Sequence, residues 1–484
     1  MKVIKYAILL SLLLGFGCKK EAQQTQEVVE APLKDYSSLM QVEKGKPVSV
    51  MLTSYSTTLI ADGKEETRLR VAVTDSLGQE ITTAQDSIQI FVTGSGSLKT
   101  ETGDAFSYGK DSLGNSYAKA KLENGLFNLH FVAGTQPDKV KVEVKSGKLW
   151  PGAHEIHTIP AEFVYKTPTQ DQLPKTTKPI DRMIGADVSW LPQLESKGRK
   201  FYEKGEEVDA VKLLKMHGFN YIRLRIFVNP ESEKGYSPKD GFCDLEHTIS
   251  MAKRIKEAGM KFLLDFHYSD YWADPQQQNK PKAWEGLSFD ELQNEVTNYT
   301  SEVLKRMKDE HVFPDMVQVG NEINHGMIWP DGYIGNPDGL AGLLKAGIQG
   351  VNNVDATIPI MLHIALGGQN DEAVFWLDNM LARDVQFDII GLSYYPRWHG
   401  TLNDLNANLN DLIRRYNKPV NVVEYSDFKK EVHDIVFNLP DDMGKGAAIW
   451  EPLSWRTNMF DNAGNVNEDV ISIYDALNKT YLNK

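Results

Sequence analysis

The sequence predicts an α/β protein in which a (β/α)8 barrel follows a small all-β sandwich. From residue 181 onward, short apolar runs typical of strands buried on both faces alternate with amphipathic helical stretches, which indicates parallel βαβ units. The unit recurs eight times over about 300 residues, which fits a closed eight-stranded barrel with insertions. A doubly wound open sheet is the structural alternative, although six strands are more typical of that fold.

The N-terminal residues predict export. Lys2 and Lys5 precede an apolar run from Tyr6 to Phe16, and Cys18 follows behind a glycine. The run is too short to span a bilayer and suits the core of a signal peptide. A small residue before a lone cysteine resembles a bacterial lipobox. We therefore expect removal of residues 1–17 and lipidation of Cys18, which would anchor the protein to the outer membrane, facing either the periplasm or the outside; ordinary cleavage without lipidation is the alternative.

Three segments separate this leader from the barrel. Residues 18–42 are polar and poor in aromatic residues, which predicts a flexible tether. Residues 43–164 contain short alternating runs bounded by Gly, Asn and Asp, typical of an antiparallel sandwich, and they resemble bacterial immunoglobulin-like repeats. We expect this domain to act as a spacer, with glycan binding as the alternative. Residues 165–180 are rich in Pro and Thr and predict a linker to the barrel at 181–484.

Charge and composition narrow the class of partner. The 66 acidic and 53 basic residues give a net charge of −13, which argues against nucleic acid and leaves a neutral polymer possible. The 11 His and 2 Cys form no metal-ligand pattern of recognisable spacing, so no metal and no cofactor are predicted. Because Cys18 is expected to carry the lipid, Cys243 has no intramolecular partner and no disulfide is expected. The expected state is a monomer.

Polar side chains collect where the predicted barrel strands end, the edge at which enzymes of this fold carry their catalytic groups. Glu322 ends the fourth strand and Glu424 ends the seventh. These two would face each other across the barrel mouth, as glycoside hydrolysis requires: one carboxylic acid protonates the leaving oxygen, and one carboxylate attacks or activates water. For any single residue of this kind, a cap or a buried hydrogen bond is the structural alternative.

The chain from about residue 182 onward resembles glycoside hydrolase family 53, the endo-β-1,4-galactanases, within clan A of the retaining glycoside hydrolases. The stretches that carry the resemblance are "GADVSWLPQLE", "HGFNYIRLRIFVNP", "MKFLLDFHYSDYWADPQQQNKPKAW", "VQVGNEINHGMIWPDG", "SYYPRWHG" and "VVEYS". The third is the most specific, and together they span nearly the whole barrel. The resemblance implies an endo-acting hydrolase of galactan or type I arabinogalactan that retains anomeric configuration.

Carried over residue by residue, the resemblance implies that Glu322 is the general acid/base and Glu424 the nucleophile. The two roles demand different protonation states, so the pKa of Glu322 should be raised while Glu424 stays ionised. Tyr395 is expected to donate a hydrogen bond to Glu424. Arg225 is expected to add positive charge nearby and so lower the pKa of Glu424.

Further residues are expected to bind the sugar. Asn321 would bind the 2-hydroxyl in the transition state, and Asp265 and His267 would line the subsite where the sugar ring is distorted; a structural role is the alternative for each. Tryptophans at or just past strand ends would stack on the apolar faces of sugar rings along an open groove. They are Trp272, Trp284, Trp329, Trp398 and Trp450, with Trp190 and Trp455 in similar positions.

Two segments were considered as calcium sites, and two alternative functions remain open. Some bacterial members of the family carry a calcium-binding insertion after the nucleophile strand; the corresponding segment here is short and lacks the acidic pattern, so no calcium is predicted there. Residues 461–469 are rich in side-chain oxygens but are expected to form a solvated turn. The functional alternatives are another clan A endo-glycanase, acting on β-mannan or β-glucan, and a surface glycan-binding lipoprotein whose barrel has lost catalysis.

Overall fold

The structure is a computed structural model that describes residues 33–173, 175–454 and 457–483. Strands with alternating apolar residues form an N-terminal sandwich of two sheets. One six-stranded sheet has the order β1-β5-β4-β10-β7 with β2 paired to β4, the other the order β3-β12-β11-β6-β9-β8, and the two share one apolar core. The strands are β1 (Gln41–Val42), β2 (Ser49–Ser54), β3 (Thr58–Ile60), β4 (Glu66–Thr74), β5 (Glu80–Ile81), β6 (Ser87–Thr93), β7 (Gly96–Thr100), β8 (Tyr108–Lys110), β9 (Ser116–Lys121), β10 (Leu126–Ala133), β11 (Asp138–Lys145) and β12 (Gly152–Ile159).

The eight apolar runs that follow form the predicted closed barrel, in the order β13-β16-β17-β18-β21-β22-β23-β24. Every neighbouring pair is parallel, and two short hairpins, β14–β15 and β19–β20, lie in the loops. The strands are β13 (Met183–Asp187), β14 (Tyr202–Glu203), β15 (Glu206–Glu207), β16 (Tyr221–Ile226), β17 (Lys261–Phe266), β18 (Met316–Val319), β19 (Gly326–Met327), β20 (Gly332–Tyr333), β21 (Ile360–Ile364), β22 (Ile389–Tyr394), β23 (Val420–Tyr425) and β24 (Gly444–Trp450).

The helices cover the outside of the barrel, as the amphipathic stretches predict. Six of the eleven described α-helices have a first turn capped by a short polar side chain; for example, the Thr401 hydroxyl accepts a hydrogen bond from the Asp404 amide at 3.2 Å. The helices are α1 (Ser37–Met40), α2 (Leu191–Ser196), α3 (Ala210–Met216), α4 (Leu245–Glu257), α5 (Phe289–Asp309), α6 (Pro337–Asn352), α7 (Asn370–Leu381), α8 (Pro396–His399), α9 (Leu402–Tyr416), α10 (Lys429–Phe437) and α11 (Glu468–Tyr481), with 3-10 turns at Gln170–Gln172, Lys282–Trp284, Ile323–His325 and Pro440–Asp442.

The inward-facing side chains of the barrel change from apolar to polar along the strands. One buried apolar residue from each barrel strand forms a closed layer, namely Met183, Tyr221, Leu263, Met316, Met361, Ile389, Val423 and Ala448. Because side chains alternate along a strand, the residue two positions later faces inward again. On four strands that residue is buried and polar: Arg223, Asp265, Gln318 and His363. The polar layer lies on the side toward which the strands run.

Two segments that the sequence predicts to be flexible are packed against the barrel. The end of the predicted tether forms α1 and β1, and Tyr36 is buried with its amide donating to Asn403 Oδ1 at 2.8 Å. In the predicted linker, Thr176 Oγ1 donates to the Asp388 carbonyl at 2.6 Å and Lys178 Nζ to the Ile358 carbonyl at 2.9 Å. The sandwich, these segments and the barrel belong to one compact unit, Asp35–Lys484.

Several predictions concern residues that the structure does not describe. The signal peptide, Cys18 and most of the tether precede residue 33, and Trp455 falls in the gap at 455–456. Among the residues that are described, no helix is long and apolar enough to cross a membrane.

Candidate active site

A cleft of about 470 Å³ opens where the barrel strands end. It is bordered by residues from both ends of the barrel sequence and from the sandwich. Most of the side chains predicted to form the site line it: Arg225, His267, Trp272, Asn321, Glu322, Tyr395, Trp398, Glu424 and Trp450. Asp265, Trp284 and Trp329 do not border this cleft.

Glu322 lies just beyond β18, where the strand turns into a 3-10 helix. Gly320 supplies a φ of 82°, and an added Cβ there would meet Ile323 at 2.7 Å. Glu322 itself has a φ of 48°, in the left-handed region that non-glycine residues seldom adopt. Such strain is typical of sites where the surrounding structure fixes a functional side chain. Here it turns the carboxyl group into the cleft.

Glu322 and Glu424 meet across the barrel mouth. Three atoms lie within 4.8 Å of one another: one carboxylate oxygen of Glu322, one of Glu424 and one ring nitrogen of His363. Retaining glycoside hydrolases hold their two carboxyl groups about 5–5.5 Å apart, whereas inverting enzymes need about 6.5–9.5 Å to admit a water molecule. The observed spacing therefore fits the shorter separation, at which one carboxylate attacks the sugar directly.

Two neighbours stabilise a negative charge on Glu424. The Tyr395 hydroxyl donates to Oε1 at 2.8 Å, the hydrogen bond that the sequence predicts, and Arg223 Nη1 donates to Oε2 at 3.1 Å. Burial raises the pKa of Glu424, while the Arg223 charge and the Tyr395 hydrogen bond oppose that rise. Glu424 is thus the carboxyl group of the pair that ionises first.

Glu322 has fewer compensating partners. Burial raises its pKa well above the usual range, and the negative charge of Glu424 raises it further. The Ser393 hydroxyl donates to Oε1 at 2.5 Å and opposes this rise, and Ser393 is in turn 2.8 Å from Nε2 of His363. The pKa of Glu322 is therefore raised further than that of Glu424, so Glu424 loses its proton before Glu322 does.

The arginine beside Glu424 is Arg223, and the prediction of Arg225 in that place is wrong. Arg225 Nη1 contacts Glu451 Oε1 at 2.6 Å, and its guanidinium carbon lies 4.3 Å from the centre of the Trp272 ring. Both arginines face inward because they are two residues apart on β16, but Arg223 lies one layer deeper, at the level of the Glu424 carboxylate. Arg225 instead forms part of the cleft wall.

Asp265 is also corrected: it lies beneath the cleft and does not face a sugar. It is fully buried, accepting from Arg223 Nη2 at 2.8 Å and from Gln318 Nε2 at 2.6 Å, and Nε2 of His267 is 3.1 Å away. A carboxylate held by three partners in the polar layer positions Arg223 and His267, and through Arg223 it acts on Glu424.

Asn321 and His267 border the cleft but are held from below. Asn321 Oδ1 accepts from Arg223 Nη2 at 2.7 Å, and its Nδ2 donates to the Ala273 carbonyl at 2.8 Å. Nδ1 of His267 accepts from the Ala273 amide at 3.1 Å. Each ring or amide is therefore fixed in one orientation before any sugar arrives.

The aromatic lining divides into two parts. Trp190, Trp272 and Trp450 pack edge to face, with ring centres 5.1 to 6.4 Å apart, and border the same cleft as Glu424. Trp398 stands apart from that cluster, 5.8 Å from the ring of Tyr395, and 43% of its surface is exposed.

Two predicted tryptophans have other positions. Trp284 is buried in the core and packs edge to face on Tyr299, because the loop after β17 folds back over α5. The Trp329 indole donates to the His325 carbonyl at 2.9 Å, and Lys139 of the sandwich covers its ring at 4.1 Å. Trp329 therefore lies between the sandwich and the barrel, outside the cleft.

The group of Glu322, Glu424 and His363 has a spacing that could hold a cation. Both ring nitrogens of His363 already face partners, Asn321 Oδ1 at 2.9 Å and Ser393 Oγ at 2.8 Å. Hydrogen bonding among these side chains therefore accounts for their close spacing without a cation.

The other segment considered for a cation, residues 461–469, forms a tight turn. Asp461 accepts hydrogen bonds there from both the amide and the side chain of Asn465.

The sequence-based interpretation assigned no role to Arg223, His363 or Ser393. A signal for the first two was available: each follows an inward-facing apolar residue by two positions, so each must face inward as well. Buried arginine and histidine in that register have to find partners. For Ser393, no feature of the sequence distinguishes it from an ordinary strand-end serine.

The chain is similar in sequence to known proteins over the region that contains this site. Residues 183–449 match the model described as "Glycosyl hydrolase family 53". The chain is 42% identical over 332 residues to the "Uncharacterized protein in bgaB 5'region" of Niallia circulans, covering 59% of this chain and 88% of that protein. It is 35% identical over 268 residues to the "Probable arabinogalactan endo-beta-1,4-galactanase A" of Aspergillus tubingensis, covering 54% of this chain and 74% of that protein.

A solved structure extends the comparison to the fold. The one described as "Ignisphaera aggregans GH53 catalytic domain" superposes with a TM-score of 0.57 at 32% identity. The match covers 64% of this chain and 99% of that one.

Proposed function

Because the chain belongs to glycoside hydrolase family 53, we propose that it hydrolyses internal β-1,4-galactosidic bonds of galactan and type I arabinogalactan with retention of configuration. The observation that carries the proposal is the pair of carboxyl groups, Glu322 and Glu424, with oxygens within 4.8 Å and with a pKa that is raised further at Glu322 than at Glu424. This spacing and this asymmetry are what a double displacement requires.

In the first step, the ionised Glu424 attacks the anomeric carbon while Glu322 gives its proton to the leaving oxygen. The glycosidic bond breaks, and an ester bond forms between the sugar and Glu424. In the second step, Glu322 takes a proton from water, whose oxygen attacks the same carbon and releases Glu424 as a carboxylate. Two inversions at one carbon give overall retention.

The surrounding residues support this sequence of steps. Arg223 and Tyr395 keep Glu424 charged before attack and receive the charge again when the ester breaks. Asn321, fixed by Arg223 and Ala273, is proposed to bind the sugar 2-hydroxyl, a contact that strengthens in the transition state. Trp450 is proposed as the floor for the sugar at the point of cleavage.

Substrate choice is tested by comparing the release of reducing ends from β-1,4-galactan, β-mannan and β-glucan under identical conditions. The proposal predicts rapid release from galactan and little from the other two. Release that is fastest on mannan or glucan would instead identify another clan A endo-glycanase.

We also propose that Cys18 carries the lipid that anchors a monomeric protein to the outer membrane, as the leader sequence indicates. Expression of the full chain and of Cys18→Ser in a bacterial host tests the anchor. The native chain should fractionate with membranes and the variant should be released, whereas equal distribution of the two would exclude lipidation at this residue.

A further inference from the structure

The sandwich contributes one wall of the active-site cleft. Thr57, between β2 and β3, and Ala153, His154 and Glu155 on β12 border the same cleft as the two catalytic carboxyl groups. We propose that Glu155 and His154, together with Trp398, form a subsite for the β-galactosyl unit on the leaving-group side of the cleaved bond. This inference rests on the proposed function and assigns the sandwich a substrate-binding role in place of the predicted spacer role.

A buried carboxyl group fixes this wall to the barrel. Glu372, on α7, accepts from the Thr57 amide at 2.6 Å, from the Thr57 hydroxyl at 2.9 Å and from the Thr58 hydroxyl at 2.7 Å. Glu372 is 1% exposed. Breaking these contacts would leave buried donors and an acceptor without partners, at a cost well above that of an exposed hydrogen bond. The sandwich is thus held in one orientation over the cleft.

A second set of contacts orients Glu155. Nε2 of His157 lies 2.8 Å from Glu155 Oε1, and the His157 ring stacks on that of His325 at 3.7 Å, with 15° between the planes. Burial lowers the pKa of His157 to about 3, so its ring is neutral and the Nε2 proton is donated to Glu155. Since His325 belongs to the turn that follows Glu322, the Glu155 carboxylate is positioned relative to the acid/base. Its side chain keeps 28% of its surface exposed.

The position of this wall indicates whether it contacts the leaving-group sugar or the sugar that is attacked. The sandwich contacts the loops after the third to sixth barrel strands, through Lys139 and the Gln276 carbonyl at 3.3 Å, Thr57 and His325 at 3.0 Å, and Arg397 and the Pro151 carbonyl at 2.8 Å. The acid/base ends the fourth strand, within this range, and it must contact the leaving oxygen.

The opposite side of the cleft belongs to the sugar that is attacked. Glu424 ends the seventh strand, and Trp190 and Trp450 border the cleft at the ends of the first and eighth strands. Trp272, on the loop after the third strand, packs against both of these rings. A chain that runs from that cluster past Glu322 reaches the sandwich wall next. The sandwich therefore lies on the leaving-group side.

The chemistry of the wall suits a galactose unit. Trp398 presents an exposed indole to the cleft, and the C–H face of a galactose ring stacks on such a surface. The Glu155 carboxylate is an acceptor for sugar hydroxyl groups. Burial lowers the pKa of His154 to about 4, so at neutral pH its ring is uncharged and has one donor and one acceptor nitrogen.

A further exposed aromatic residue continues this side of the groove. Trp150 is 71% exposed and precedes Pro151, whose carbonyl is bound by Arg397, the neighbour of Trp398. Ala153 at the cleft is three residue steps along the chain from Trp150, which is at most about 10 Å for extended chain. Trp150 is therefore within reach of a polysaccharide chain that leaves the cleft across the edge of the sandwich.

The test compares two substrates in the full-length enzyme: a β-1,4-galacto-oligosaccharide, whose leaving group is a sugar, and an aryl β-galactobioside, whose leaving group is not. For Glu155→Gln and Trp398→Ala, we expect the ratio of kcat/KM for the oligosaccharide to kcat/KM for the aryl substrate to fall about tenfold, the value of one lost stacking or hydrogen-bonding contact. Transfer of galactobiose to an added galactobiose acceptor should fall with it, because the acceptor occupies the same subsite.

Two further variants keep the test decisive. Trp150→Ala removes a mostly exposed side chain, so folding should be unaffected. When long galactan replaces the oligosaccharide in the ratio, the ratio should fall for this variant too, by a smaller factor than for the cleft variants. Leu113→Ala, at an 85% exposed position of the sandwich, is the matched control and should leave the ratio at the wild-type value. Unchanged ratios in Glu155→Gln and Trp398→Ala would overturn the proposed subsite. Absence of activity on both substrates in the wild type would instead contradict the proposed function.

Discussion

Glu322 and Glu424 are chemically the same group, and their surroundings give them different roles. Glu424 is next to a guanidinium and a phenol, both of which stabilise its negative charge. Glu322 has one hydroxyl partner and the charge of Glu424 close by, so it holds its proton. The division of roles is therefore a property of Arg223, Tyr395 and Ser393 as much as of the glutamates.

Replacing the acid should slow catalysis without removing the site. Glu322→Gln keeps the shape and loses the transferable proton, so kcat on galactan should fall about 10²- to 10⁴-fold. The loss should be smaller on an aryl galactoside with a strongly acidic leaving group, which needs no proton in the first step. The exposed Glu302→Gln is the matched control. Equal activity of Glu322→Gln and the wild type on galactan would exclude Glu322 as the acid.

Removing the phenol should shift the acidic limb of the pH profile. The Tyr395 hydroxyl lowers the pKa of Glu424, so Tyr395→Phe should raise that pKa. Attack requires the ionised form of Glu424; the acidic limb of kcat/KM should therefore move to higher pH, by about one unit for a hydrogen bond to a charged group. Tyr108→Phe, at an exposed site of the sandwich, should leave the profile in place. A shift to lower pH would contradict the assignment.

At the residue scale, the sequence identified the two carboxyl groups but not the full network that distinguishes them. Glu322 and Glu424 follow apolar strands directly, a position that is easily recognised. Arg223 and Arg225 lie in the same register on one strand, and only the depth of the layers decides which of them reaches Glu424. Depth depends on the stagger of neighbouring strands, which a strand sequence alone does not specify.

Helices that have both a strong hydrophobic period and an N-terminal capping side chain were predicted accurately from the sequence. The amphipathic stretch at residues 245–259 forms α4 (Leu245–Glu257), which begins behind Asp244, whose carboxylate accepts from the His247 amide at 2.8 Å. The amphipathic stretch at residues 402–417 forms α9 (Leu402–Tyr416), behind the cap Thr401. Elements without such signals, such as the short hairpins β14–β15 and β19–β20, were not predicted.

The contact between α7 and the sandwich is open to a stability test. Glu372→Ala removes one buried acceptor and leaves three donors of Thr57 and Thr58 without it, so the free energy of unfolding should fall by about 3 kcal/mol. Urea denaturation followed by circular dichroism measures this change. The exposed Glu302→Ala provides the control. A loss no larger than that of the control would show that the sandwich is not held through Glu372.

At the scale of the whole molecule, the fold class was predicted correctly and the relation between its parts was not. Eight strands with intervening helices define a barrel in the sequence itself. The sandwich was expected to be separated by a flexible linker, yet it packs on the barrel through polar residues such as Thr57, His157 and Glu372. Residues of these types are ordinary on a surface, so a sequence pattern does not indicate that they meet.

The packing of the sandwich on the barrel affects which residues can contact the substrate beside the cleavage point. A barrel with an open groove could bind a long chain on both sides of the cleavage point. Here the sandwich borders the cleft, so the number and affinity of subsites on the side proposed for the leaving group depend on both domains.

The central claim, attack by one carboxylate with its partner as acid, is tested most directly by the stereochemistry of the first product. Hydrolysis of linear β-1,4-galactan by a high concentration of enzyme, followed by proton NMR of the new reducing ends before mutarotation, reports that configuration. With carboxylate oxygens of Glu322 and Glu424 within 4.8 Å, the β anomer should appear first. Initial appearance of the α anomer would contradict the double displacement and the role of Glu424 as nucleophile.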